Sequence, residues 1–191
     1  LDPYAARSCP VKTFNAFDPG TPKPEKPLDE SLLEAFSGGS EFREFMLEAL
    51  CRADDVVDLH DEGHNPAKTL AAMETGAPVI VGGCLPVDVT GHRTGCPDAL
   101  VRGDDRPGGR PGYWPLRVKP YRLLEKQHNA KELRASAIGS PTTLEPLPGF
   151  RFRSYRQGVL LELAHHWRLL QVCGRAATTP VAGVIGFDDH R

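Results

Sequence analysis

The run Pro78-Val-Ile-Val-Gly-Gly-Cys-Leu85 is apolar at consecutive positions instead of alternate ones. That pattern belongs to a strand covered on both faces, so the chain must build a sheet with helices on either side. The neighbouring segments supply the parts. Val56-Val-Asp-Leu59, Ala99-Leu-Val-Arg102 and Tyr113-Trp-Pro-Leu-Arg-Val-Lys119 read as strands, the last two joined by the Gly- and Pro-rich turn 103–112. Val181–Phe187 reads as a closing strand. Helical spacing of Leu32, Leu33 and Phe36 follows Asp29, and Gly38-Gly39 is expected to end that helix. Ser40 then caps a second one carrying Phe42, Phe45, Met46, Ala49 and Leu50. A helix over 66–75 starts with Pro66 in its first turn and stops at Gly76, and a long amphipathic helix spans 157–173 before Gly174. The order α, α, β, α, β, β, β, loop, α, β predicts an α/β or α+β sheet with flanking helices.

Composition narrows the class. A length of 191 residues suits one domain, with 40% hydrophobic and 25% charged residues. No apolar run approaches the ~18 residues of a membrane span. Lys+Arg 23 against Asp+Glu 25 leaves a net charge of −2, which excludes a general polyanion binder. Gly 19 and Pro 18 are dispersed, apart from a Pro-rich connector over 18–30 that is neither helix nor inner strand. Residues 122–150 are polar and mixed, with a short helix expected near 130–137.

Five cysteines are widely spaced and form no CxxC pair, which argues against a self-contained zinc site. The opening Leu1-Asp2-Pro3 shows no signal-peptide pattern, so the expectation is a reducing cytoplasm and free thiols. On that reading Cys51, Cys84 and Cys173 serve as small buried hydrophobes. The last strand runs straight into Asp-Asp-His-Arg191, and a chain cut short at its C-terminus is expected.

The pair that could carry chemistry is Asp98, at the mouth of one strand, and Lys119, at the end of the next. A carboxylate there would hold a divalent ion on a phosphate, while the ammonium orients water or steadies charge in the transition state. Such a pair is more often merely solvated. Local basic clusters lie at Arg93, at Tyr121-Arg122 and at Arg151, Arg153 and Arg156, the places where phosphate could be met. Trp114 and Trp167 read as core anchors. His60 and His64, four apart beside Asp58, Asp61 and Glu62, offer a metal site, but the acidic loop reads first as solvated. His165 and His166 point ~100° apart on a helix, so they cannot chelate one ion together and one is expected to be exposed. Gly82-Gly83 and Gly108-Gly109 lack the strand–GxGxxG–helix context of a nucleotide fold.

Taken in order, four segments resemble the RecB-like PD-(D/E)XK nuclease family of the actinobacterial type. They are Ala5-Ala-Arg-Ser-Cys9-Pro-Val-Lys-Thr-Phe-Asn15, Gly91-His-Arg-Thr-Gly-Cys-Pro-Asp98-Ala-Leu-Val-Arg102, Leu163-Ala-His-His166-Trp-Arg-Leu-Leu170 and Val181-Ala-Gly-Val-Ile-Gly186. The resemblance implies a single nuclease domain over 1–191 with a restriction-endonuclease-like mixed central sheet flanked by helices. It implies Mg²⁺- or Mn²⁺-dependent cleavage of DNA, at ends or in single strands, alongside a helicase or repair partner and no membrane. Asp98 then matches the metal-binding carboxylate and Lys119 the catalytic lysine. Glu162 and His166 match the two polar positions of the long helix, and Arg93, Tyr121 and Arg122 fall near the DNA. Cys9 matches the first ligand of an iron–sulfur cluster whose other three would lie in a missing C-terminal segment. The departures are specific. Arg117 stands where the family has its second carboxylate, and a guanidinium cannot ligate Mg²⁺. Arg43 replaces an acidic residue or His, which leaves Glu44 as a displaced metal ligand. Two readings follow: a nuclease with an impaired centre, or a degenerate domain that keeps the fold for DNA or partner binding.

Overall fold

The computed structural model describes residues 1–22, 30–130 and 133–188. Helices α1 (Pro3–Arg7), α2 (Pro10–Phe17) and α3 (Glu30–Cys51) lead into strand β1 (Val56–Asp58), helix α4 (Pro66–Glu74) and strands β2 (Val79–Val81), β3 (Ala99–Arg102) and β4 (Tyr113–Val118). Four short strands follow: β5 (Leu124–Lys126), β6 (Arg134–Ala135), β7 (Glu145–Pro146) and β8 (Phe150–Phe152). Helix α5 (Gly158–Val172) and strand β9 (Gly183–Ile185) complete the described chain. The central sheet has five strands in the order β1-β2-β3-β4-β9. β1 and β2 run parallel, β2–β3 and β3–β4 antiparallel, and β4–β9 parallel. The sheet is therefore mixed and flanked by helices.

Alternation along β2 sorts the core into two layers, as its unbroken apolar run demands. Val79 and Val81 face one side with Leu47 and Leu50 of α3, Ala99 and Val101 of β3, and Trp114, Leu116 and Val118 of β4. Ile80 faces the other side with Ala72 and Met73 of α4, Leu100, Tyr113, and Leu169 and Leu170 of α5. Pro115 lies inside β4, yet the ladder to β9 starts only at Leu116↔Gly183, so its missing N–H breaks no bond there. Tyr113 is wholly buried, and burial pushes its phenol up to about 12. Its hydroxyl donates to the Ala77 carbonyl at 2.9 Å. Tyr113→Phe strands that carbonyl and should cost about 1–2 kcal/mol in urea unfolding.

Several expectations are corrected. Gly38-Gly39 does not end a helix; α3 runs through it to Cys51. The apolar face ending in Leu47 and Leu50 buries against the sheet and outweighs the intrinsic cost of glycine. Gly39 also allows a close approach, since a Cβ there would lie 3.3 Å from Pro120 Cγ. The segment around Cys9, given no element from sequence, forms α1 and α2, each with proline in its first turn. The expected 130–137 helix is replaced where described by the β6–β7 pair, Arg134↔Pro146 and Ala135↔Glu145; residues 131–132 of it, and 23–29 of the Pro-rich connector, lie outside the described residues.

Cys84 is not a free thiol but is bonded to Cys96, twelve positions on, while Cys9, Cys51 and Cys173 are free. The backbone sets this up: the Leu85 N–H donates to the Gly95 carbonyl at 3.2 Å, so the two cysteines stand side by side at the neck of a loop. Closing a loop of that length stabilises the fold by roughly 3 kcal/mol through the unfolded chain. Reduction should lower the urea midpoint accordingly. No helix among the described residues is long and apolar enough to cross a membrane.

Candidate functional site

Four elements converge beneath the β3–β4 hairpin. Asp98 precedes β3 and is wholly buried; its amide donates to the Leu116 carbonyl, which ties it to β4 before the ladder begins. Its carboxylate is fully engaged. Oδ2 accepts the Val118 amide at 2.7 Å and lies 3.3 Å from Arg117 Nη1, and Oδ1 accepts Arg43 Nε from α3 at 2.5 Å. Arg117 lies on β4 opposite Val184 of β9. Its Nε also sits 3.3 Å from Oε2 of Glu162, a residue of α5. Lys119 follows β4 directly, donates its amide to the Ile185 carbonyl, and donates Nζ to the same Glu162 oxygen at 2.7 Å.

The result is a chain of charges in the order Arg43, Asp98, Arg117, Glu162, Lys119. Three cations hold two carboxylates. The acids lie at the bottom, with side chains 0% and 4% exposed, while Lys119 is 12%, Arg117 21% and Arg43 42% exposed. Buried ions survive only when paired, and each of these charges has an opposite partner, although Arg117 Nε makes no hydrogen bond among the described residues.

His166 lies one turn beyond Glu162 on α5 and is also wholly buried. Neither ring nitrogen has a hydrogen-bond partner among the described residues. Burial above all, then the nearby charges of Arg117, His165 and Lys119, pulls its pKa down to about 3, so the ring is neutral. Its neighbour His165 faces the Thr94 carbonyl at 3.0 Å and is buried too. The expectation that one of the two would be exposed therefore fails. α5 is covered on this side by α1 and by the loop before Asp98, where a Cβ on Gly95 would come within 2.9 Å of His166 Cε1 and 3.1 Å of Pro3 Cγ.

This histidine makes stability pH-dependent. Between its folded value near 3 and its ordinary value near 6.5 the unfolded chain binds the extra proton. The stabilisation is complete above about pH 6.5 and is lost as pH falls toward 3, at up to about 1.4 kcal/mol per pH unit. His166→Met should flatten the urea-unfolding free energy across that window.

Of the residues singled out from sequence, Asp98, Lys119, Glu162 and His166 are brought together. Glu44 is not: it is exposed on α3, and its neighbour Arg43 takes the contact with Asp98. Arg93 is held by Asp88 at 2.7 Å instead of lying open. Tyr121 lies under Arg156, whose guanidinium carbon is 3.9 Å from the ring centroid, and Arg122 is exposed. Cys9 stands at the N-cap of α2 as an exposed free thiol, its pKa lowered by the Lys12 and Val11 amides.

The divalent ion that the resemblance implies does not fit these residues. Each Asp98 oxygen already has a cationic partner, and Arg117 lies between the two carboxylates that an ion would have to share. Reading the sequence missed that Arg43 and Arg117 act as partners of Asp98. The available signal was arginine at two positions where the resemblance implies other residues, beside a strand-mouth aspartate. Comparison with protein-family models, with curated proteins and with solved structures found no match.

Proposed function

We propose that the chain is a restriction-endonuclease-like, RecB-type domain that binds nucleic acid without hydrolysing it. The observation that carries this reading is Arg117, ion-paired at 3.3 Å to both Asp98 and Glu162. A guanidinium there holds a permanent positive charge between the two acids, in the place a metal ion would need to activate water. The placement of Asp98 just before β3 and of Lys119 just after β4, together with the mixed five-stranded sheet, supports descent from the nuclease arrangement.

Positive charge near the surface supports the ligand. Arg43 faces solvent above the network, and beyond Lys119 the Tyr121–Arg156 stack continues to exposed Tyr155, which also meets Arg153. Arginines interleaved with aromatic rings suit a flexible strand, the guanidinium meeting phosphate and the rings stacking on bases. The reading predicts a local, salt-sensitive footprint on a molecule whose net charge is −2.

The test is fluorescence anisotropy with a single-stranded oligonucleotide, next to a cleavage assay in Mn²⁺. Binding should weaken steeply with salt and drop about 10-fold in Tyr155→Ala, in line with the ~1–3 kcal/mol of one base–aromatic stack, with no cleavage product. Cleavage by the wild type that disappears in Asp98→Asn would instead make the chain a metal-dependent nuclease. Absence of binding at low salt would remove nucleic acid as the ligand.

A further inference from the structure

We propose that His64, Cys84 and Cys96 form a redox-gated site for a thiophilic divalent ion such as Zn²⁺. One ligand atom from each of the three lies within 4.8 Å of the others. They come from two separate parts of the fold. His64 lies in the loop from β1 to α4, where Gly63 and His64 both take left-handed backbone, φ 62° and 51°. That double reversal turns the chain back over the end of β2. Cys84 follows β2 and is buried, its amide accepted by the Thr69 hydroxyl of α4 at 2.9 Å. Cys96 lies across from it on the loop that returns to Asp98, and His64 is exposed, so the site opens to solvent on the histidine side.

With the disulfide formed, neither sulfur is a thiolate and the site is closed to metal. A dithiol reductant opens it. Its two thiols become a disulfide, the Cys84–Cys96 bond breaks, and two electrons and two protons leave two cysteine thiols in its place. Zinc then displaces those two protons and takes two thiolates and one imidazole nitrogen, with water in the fourth position. The sulfurs need to part only to roughly 3.8 Å around a zinc with Zn–S bonds of about 2.3 Å. The two ends of the loop already hold them side by side, through the Leu85–Gly95 bond at 3.2 Å. An imidazole beside a pair of cysteines that are not close in sequence is a ligand set that a search for CxxC spacing cannot find.

The site sits two residues from Asp98, on the same loop. It is independent of the nucleic-acid reading, which uses none of these three residues. The test uses the full chain, reduced with a phosphine that leaves no competing thiol, and titrates ZnCl₂ against a chromophoric zinc indicator. Expected is one equivalent bound by the reduced chain beyond that bound by reduced Cys84→Ser/Cys96→Ser, and none beyond it for the oxidised chain. His64→Ala should weaken binding by more than the roughly 10-fold that even outer-shell partners command. Co²⁺ in place of Zn²⁺ should give a thiolate charge-transfer band that the double serine variant lacks. Equal binding by the reduced wild type and the serine variant would overturn the proposal, as would undiminished affinity in His64→Ala. Should reduction unfold the chain, ZnCl₂ should restore its circular dichroism and melting transition; failure to do so would also overturn it.

Discussion

Asp98→Ala lowers the stability of the chain by about 3–5 kcal/mol, the range expected when one partner is removed from a buried ion pair. The cause is not the lost hydrogen bond to the Val118 amide alone. The alanine leaves Arg117 with Glu162 shared against Lys119, and Arg43 with no carboxylate partner among the described residues. It also leaves the Val118 amide unpaired inside the sheet. Urea unfolding followed by circular dichroism measures the effect. Arg43→Met provides the contrast. Arg43 is 42% exposed, so its loss should cost far less, because solvent already screens that side of the network. A loss below about 1 kcal/mol for Asp98→Ala would mean that the network is solvated and that these charges are not held as described.

Arg117→Glu has the second large effect, and its sign depends on metal. Without metal, a third carboxylate faces Asp98 and Glu162, with Lys119 and Arg43 as the remaining counter-charges. Like charges in a buried site are unfavourable, and a loss of about 2–4 kcal/mol is expected. With Mn²⁺ the three acids become a hard-oxygen site of the kind that Arg117 blocks. Binding that is specific to the folded state raises stability by about 2.7 kcal/mol at a hundredfold excess over the dissociation constant. The melting temperature of Arg117→Glu should therefore rise with added MnCl₂ while that of the wild type stays still. A wild-type shift as large as the variant's would show that metal displaces the guanidinium, and the proposal of a non-hydrolysing domain would fall. Cleavage that appears only in the variant would place the whole difference between enzyme and binding domain at this one side chain.

Much of the architecture was legible in the chain because it rests on local pattern. The continuous apolar run at 78–85 requires cover on both faces, and Val79, Ile80 and Val81 supply it by alternating between two helical layers. Asp98 and Lys119 could be placed at one end of a hairpin because the turn between them fixes the register Ala99↔Leu116. Glu162 and His166 could be placed together because a helix brings residues four apart onto one face. What failed depended on distance in sequence. Gly38-Gly39 reads as a helix stop until the sheet packs against Leu47 and Leu50. Cys84 reads as a thiol until the loop between residues 85 and 95 closes and sets Cys96 beside it.

The sequence by itself determined a sheet between helices, and it placed a carboxylate and an ammonium at the two flanks of one hairpin. It also showed that two positions expected to be acidic carry arginine. Only the tertiary structure decided what those arginines do. Arg43 arrives from a helix 55 positions away from Asp98, and Glu162 from another 43 beyond Lys119. Their pairing depends on how α3 and α5 pack on opposite faces of the sheet. Coulomb interaction acts through space and strengthens with burial, so the partners of a charge are set by packing, which no local pattern encodes.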